Sequence, residues 1–241
     1  MIVYTDTKKQ FVEDVVNNCI HEKILAEIKL KRVGGGSPAE IASWRNSMQF
    51  MRTVVDVPEL PGDAKVSIEY SIPLTNKRVD FILTGKDQNQ KDNAVIIELK
   101  QWSDVAVTSK DALVSTYVGK AVRETSHPSY QAWSYAALIN DYNETVRNES
   151  IVLTPCAYLH NLDSDHVISD SFYEEHTHKA PVFISKDVKK LRAFLASFVK
   201  HGDHDDIMYR IDHGKIKPSK NLADSLAGML KGNPEFLMID E

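Results

Sequence analysis

Three charged side chains sit where the chain otherwise reads as buried strand. KRVDFIL (77–83) and NAVIIELK (93–100) are mostly apolar runs, yet they carry Asp80, Glu98 and Lys100. Withdrawing an unpaired charge from water is costly, so these three need partners. Side chains alternate across a strand, which puts Glu98 and Lys100 on one face and Ile97 and Leu99 on the other. Their Cα atoms lie roughly 6–7 Å apart, leaving room for a metal ion and its water. On the preceding run, Val79 and Phe81 are expected on the core face with Asp80 turned away from it. If the two runs pair in a meander, Asp80 meets Glu98 and the carboxylates form a hard oxygen site suited to Mg²⁺ or Mn²⁺.

A second group lies in HPSYQAWSY (127–135). Residues i and i+4 share a helical face, so Gln131 and Tyr135 are neighbours, and His127 extends that face by one more turn. The elements that must hold these groups can be read from periodicity and punctuation. Apolar positions at Phe11, Val15, Ile20, Ile24, Leu25 and Ile28 predict an amphipathic helix over 7–31, broken by Gly34-Gly35-Gly36. Ser37, Pro38 and Glu40 spell a capping box that opens a helix over about 38–55. Three strand-like runs follow (64–72, 77–83, 93–100), separated by polar turns, and then a ribbon within 105–123. A helix over 127–143, a strand over 151–159, a short strand at 180–184 and a helix at about 187–200 complete the core. Residues 201–232 read as helical.

Asp80 in RVD and the IIELK triplet, followed by QxxxY, resemble the D…(D/E)xK and accessory motifs of the PD-(D/E)xK nuclease superfamily, in its RecB-type branch. Val79 stands where the family name has proline. The resemblance spans about residues 38–160 and implies an α/β fold: an αβββαβ core with a mixed central sheet flanked by helices, with extra N- and C-terminal helices. It implies a Mg²⁺- or Mn²⁺-dependent deoxyribonuclease. Asp80, Glu98 and the backbone carbonyl of Leu99 would ligate the metal, Lys100 would act on the attacking water, and Gln131 and Tyr135 would position Lys100 or the substrate. A further acid, Glu69 or Glu40, would complete the site. Glu69 shares its expected strand face with Ser67 and Ser71, whereas Glu40 is already explained by the capping box.

The arrangement also resembles the N-terminal segment of bacterial nuclease–helicase fusions of the kind associated with antiviral defence. This implies DNA as partner, a helicase domain downstream, and a chain that stops at FLMIDE before that domain begins. The expected organisation is an N-terminal helical extension (1–36), a nuclease-like core (37–200) and a C-terminal helical extension or linker (201–241). The alternative is a catalytically silent nuclease fold that docks nucleic acid or protein.

Composition bounds these expectations. The chain has 241 residues, 42% hydrophobic and 26% charged, with a formal net charge of −5. That balance suits a folded globular protein and excludes a general polyanion trap, so nucleic acid must meet a local basic patch or a bridging metal. Lys110, Tyr117, Lys120 and Arg123 suit such a patch, and equally a solvated ribbon. Cys19 and Cys156 are too few for a disulfide framework, which fits a cytoplasmic protein. His176, His178, His201 and His204 lack a zinc-site pattern and read as solvated histidines. No apolar run is long enough for a membrane span.

Overall fold

The computed structural model describes residues 1–32 and 34–224. FLMIDE, at the chain's end, lies outside the described residues.

The chain begins with a short strand, β1 (Tyr4–Thr7), rather than helix. Thr7 then caps α1 (Lys8–Val16) by accepting from the Gln10 amide at 3.1 Å. The single helix expected over 7–31 is in fact two, α1 and α2 (Ile20–Lys31). They part at Asn17-Asn18-Cys19, where Asn18 takes the left-handed conformation (φ 54°) that asparagine tolerates better than most side chains. The apolar spacing continues through this corner, which is why periodicity alone bridges it.

α3 (Pro38–Val55) starts where its capping box is written: Ser37 Oγ accepts from the Glu40 amide, and the Glu40 carboxylate accepts from the Ser37 amide. Trp44, Met48, Met51 and Val55 then form one buried stripe along the helix.

The next elements are β2 (Lys65–Ser71), β3 (Arg78–Lys86) and β4 (Asp92–Lys100). A three-stranded ribbon follows, β5 (Ala106–Val107), β6 (Leu113–Val118) and β7 (Ala121–Ser126). Then come α4 (Pro128–Tyr142), α5 (Glu144–Asn148) and β8 (Val152–Leu159). After α6 (Glu174–Lys179) lie β9 (Val182–Ile184), α7 (Val188–Phe198) and α8 (Ile207–Asp212). Of the helical reading over 201–232, residues 225–232 lie outside the described residues, and between 201 and 224 it holds over only part of the segment.

The central sheet is mixed, in the order β1-β2-β3-β4-β8-β9. It is antiparallel from β1 to β4 and parallel from β4 through β8 to β9. A parallel partner for β4 requires a crossover connection, supplied by the ribbon and α4. The sheet is therefore buried on both faces. One face packs on α1, α2, α3 and α7 through Phe11, Ile24, Met48, Met51 and Leu195. The other packs on α4, α5 and α8 through Ile139, Val146, Met208 and Ile211. The first 36 residues thus contribute β1 to the sheet as well as two helices to its cover. Among the described residues, no helix is long and apolar enough to cross a membrane.

Candidate active site

On β4, Val95, Ile97 and Leu99 enter the core on the α3 side, while Ala94 and Ile96 face α4. Alternation then carries Glu98 and Lys100 to the α4 side. β2 and β3 are less regular. Val66 and Ile68 pack on the α3 side, but Tyr70 and Ile72 pack on the α4 side, so the alternation reverses between them. Glu69 sits at the reversal with φ 56°, a left-handed conformation that costs a non-glycine residue on the order of 1–3 kcal/mol. On β3, Phe81 packs on the α3 side and Val79 on the α4 side. The expectation that Val79 and Phe81 share one face therefore fails, and so does the grouping of Glu69 with Ser67 and Ser71. The Glu69 carboxylate turns instead to α3, where Trp44 Nε1 donates to it at 2.8 Å, while Ser67 bonds Thr5. The β2–β3 register places Glu69 opposite Asp80, so both irregularities fall at one point of the sheet.

The β3–β4 ladder ends at the same place. Its last pair is Phe81 with Ile97, and beyond it the Leu99 amide donates to Asp80 Oδ2 at 2.8 Å. Leu99 thus meets Asp80 through its N–H. The Asp80 and Glu98 carboxyls lie within hydrogen-bonding reach of each other. Glu98 is buried, at 2% exposure, and Asp80 is half-buried. Lys100 Nζ pairs with Glu98 Oε1 at 2.8 Å and donates to Gln131 Oε1 at 2.9 Å. The Gln131 amide in turn donates to the Tyr135 hydroxyl at 2.6 Å. Five of the expected residues, Asp80, Glu98, Lys100, Gln131 and Tyr135, therefore form one connected group.

Burial, followed by the charge of Asp80, pushes the Glu98 carboxyl up to about 8 despite Lys100. Burial also raises Asp80, opposed by Lys100 and the Leu99 amide. Two ionised carboxylates offer only acceptors, so their contact requires a proton or a cation between them. Glu98 Oε2 is buried and accepts no hydrogen bond.

Asp80 also lines a cleft of about 490 Å³ with Glu40, Trp44, Glu69, Arg78 and Tyr135. Arg78 lies between the two further acids, at 2.9 Å from Glu40 and 3.0 Å from Glu69. Its hydrogen bond holds Glu40 below the ordinary carboxylate range. Burial, and then the Asp80 charge, raises Glu69 to about 7. Sequence reading missed Arg78 and Trp44 as site residues. Arg78 had a signal, as a cation two residues before Asp80 on the same strand; Trp44 reads simply as part of a core stripe.

His127 does not extend the Gln131–Tyr135 face. It is fully buried, caps α4 by accepting from the Ser129 amide, and stacks on Tyr173 with ring centroids 4.7 Å apart. His176 is buried as well, 2.9 Å from Asp111, so it is not the solvated histidine expected.

The donors suit a hard cation: two oxygen side chains, one of them holding an undonated buried oxygen. Among the described residues, no group of three or more His, Cys, Asp or Glu side chains is placed to hold a metal ion. Asp80 and Glu98 would therefore need backbone or water oxygens to complete a coordination sphere. Comparison with protein-family models, with curated proteins and with solved structures found no match.

Proposed function

We propose that the chain is a metal-dependent nuclease with a PD-(D/E)xK-type core, which hydrolyses DNA phosphodiester bonds at the Asp80–Glu98–Lys100 group. The observation that carries this reading is the buried contact between the two carboxylates, with a Glu98 oxygen lacking a donor and the Lys100 ammonium beside it. Asp80 and Glu98 would hold Mg²⁺ or Mn²⁺, with the Leu99 carbonyl as a further candidate ligand. Arg78 pairs with both additional acids; Glu69 is better placed because it faces the Asp80 charge, whereas Glu40 is also bound to Ser37 at the start of α3.

When bound, such an ion polarises a phosphoryl oxygen and lowers the pKa of its water. The chain's own residues do the rest. Lys100 orients the attacking water and helps remove its proton, and its position is set by Gln131. Tyr135 fixes the Gln131 amide so that its oxygen, not its nitrogen, faces Lys100. Because phosphates carry no base identity, cleavage should depend weakly on sequence. The motif likeness to nuclease–helicase fusions extends the proposal to a helicase domain as partner.

The test is cleavage of linear, circular and single-stranded DNA with Mg²⁺ or Mn²⁺, using Asp80→Asn alongside the wild type. Metal-dependent cleavage that Asp80→Asn abolishes, together with loss of Mn²⁺ binding by calorimetry, is the expected result. No cleavage by the wild type with either ion would refute the enzyme and favour a docking role.

A further inference from the structure

Besides the Glu98 oxygen, a second buried polar atom near Asp80 lacks a hydrogen bond: Arg78 Nη1. It lies 3.0 Å from Glu69 Oε2, an ion pair by distance that misses hydrogen-bond geometry. Arg78 Nη2 donates to Glu40 Oε1 at 2.9 Å, and among the described residues this is the one hydrogen bond of a side chain with five N–H donors. Glu69 has its own donor, since Trp44 Nε1 reaches its other oxygen. The guanidinium is nonetheless closely fitted. Gly35, at φ 129°, packs so near that a Cβ there would stand 3.1 Å from Nη1 and 3.3 Å from Glu40 Oε1. Glycine is therefore what lets the loop before α3 close against the pair.

An acceptor and a donor without hydrogen bonds, both close to one aspartate, call for ligands of opposite charge. A cation answers the Glu98 oxygen. Arg78 Nη1 needs an oxygen acceptor that its two carboxylate neighbours do not supply in hydrogen-bond geometry. Arg78 and Asp80 line the same cleft, together with Glu40 and Glu69. Three acids there would repel a phosphodiester unless a cation of the lining met it. We propose that Arg78 is a phosphate-binding residue of this cleft, whose guanidinium takes the non-bridging oxygens of a DNA phosphodiester brought beside Asp80. Its planar fork matches two phosphate oxygens at once, which a lysine ammonium cannot do. Taking the phosphate turns Nη1 away from Glu69 and gives up a contact that holds no hydrogen bond; the Glu40 pair, about one-third exposed on each side, is weak in water. This inference deepens the nuclease reading and rests on it for the identity of the phosphate, but the contact can be read without cleavage.

The experiment uses the whole chain with a fluorescein-labelled oligodeoxynucleotide, as duplex and as single strand, in EDTA and in Ca²⁺, a hard cation with the same preference for oxygen. Anisotropy should show Arg78→Gln weakening the form that the wild type binds by about tenfold, with a salt slope smaller by about one. Arg78→Lys keeps the charge and loses the fork, so its affinity should fall between the two. Calorimetry separates this from a role in neutralising the acids: Arg78→Gln should bind Ca²⁺ at least as tightly as wild type, because a cation has been removed from beside the carboxylates. Wild-type DNA affinity in Arg78→Gln overturns the phosphate contact, as does a loss of DNA binding that only follows a loss of Ca²⁺ binding, or a wild type that binds neither DNA. Where Arg78→Gln does not fold by circular dichroism, Arg78→Lys decides, and wild-type affinity in it overturns the fork. Arg78-dependent binding without cleavage in Mg²⁺ or Mn²⁺ upholds the contact and overturns the nuclease reading alone, whereas cleavage with binding indifferent to Arg78 does the reverse.

Discussion

Glu98→Gln tests the electrostatic core of the site without reference to turnover. Glu98 ordinarily titrates near 4.5 but is held up to about 8 in the folded chain, chiefly by burial and then by Asp80. Between those values the unfolded chain has released the proton and the folded chain still holds it. Unfolding then releases protons, so stability must fall as pH rises. The contribution is fully present below about 4.5 and is lost as pH climbs through about 8. One pKa unit corresponds to about 1.4 kcal/mol, so the ceiling for Glu98 alone is ~5 kcal/mol, of which ~3 kcal/mol is lost by pH 7. Glu69, raised to about 7, adds a parallel loss over a narrower window.

Glutamine keeps the shape of Glu98 and cannot ionise. The variant should therefore match wild type near pH 5 and exceed it by ~2–3 kcal/mol near pH 8, below the ceiling because Lys100 loses a partner. Urea unfolding with EDTA across that range measures both curves. Parallel curves would mean that Glu98 ionises freely in the fold, and the reasoning from the carboxylate contact would be wrong. If the pair also takes up a divalent ion, about one proton should leave per ion bound at pH 7. Calorimetry in buffers of different ionisation enthalpy counts that proton, and a count of zero contradicts the pairing of metal and proton at one position.

Three further outcomes follow from the same geometry. Lys100→Ala should reduce cleavage about 10²–10⁴-fold with the fold intact by circular dichroism, and retained turnover would remove Lys100 from the water-activating role. Gln131→Ala should lower turnover by about 10²-fold through misplacement of Lys100, and Tyr135→Phe by only about tenfold, since it removes one hydrogen bond; equal turnover in all three proteins would reduce this chain of contacts to packing. Trp44→Phe removes the N–H that Glu69 accepts, so Glu69 should rise above its value of about 7, and stability near pH 8 should drop by ~1–3 kcal/mol, with little change near pH 5; a drop at both pH values would mean lost packing instead.

The elements that position the site were legible where local signals act alone. Ser37, Pro38 and Glu40 specify the start of α3 without help from the rest of the chain, and they do so in the structure. The apolar runs of β2, β3 and β4 likewise reveal strands, since burial on both faces selects continuous hydrophobic sequence. The corner between α1 and α2 was illegible because apolar spacing continues through Asn18, and β1 because four residues are too few to show a period. His127 looked like a member of the Gln131 face by spacing, but a residue at a helix start follows the incoming chain, and here that chain turns it beneath Tyr173.

The most consequential failure concerns strand faces. Alternation is a sound rule only while the backbone stays extended, and it breaks at Glu69 and Asp80, which lie opposite each other in register. A sheet optimised for stability alone would not put a left-handed glutamate opposite a half-buried aspartate, end a ladder there, and leave a neighbouring carboxylate oxygen without a donor. Each departure has a cost; Glu69 and Asp80 line one cleft, and Glu98 is buried where the Asp80 charge acts on it. Sequences tend to break local rules where function demands a geometry that regular structure cannot give. Here the reversal turns Glu69 toward Trp44 and Arg78 while Tyr70 passes to the other face, so that acids from three adjacent strands reach one end of the sheet. The same reasoning separates Glu69 from Glu40. Glu40 sits in a regular helix where it caps α3 and pairs with Arg78, while Glu69 is held at positive φ within β2, with its carboxylate facing Trp44, Arg78 and the Asp80 charge.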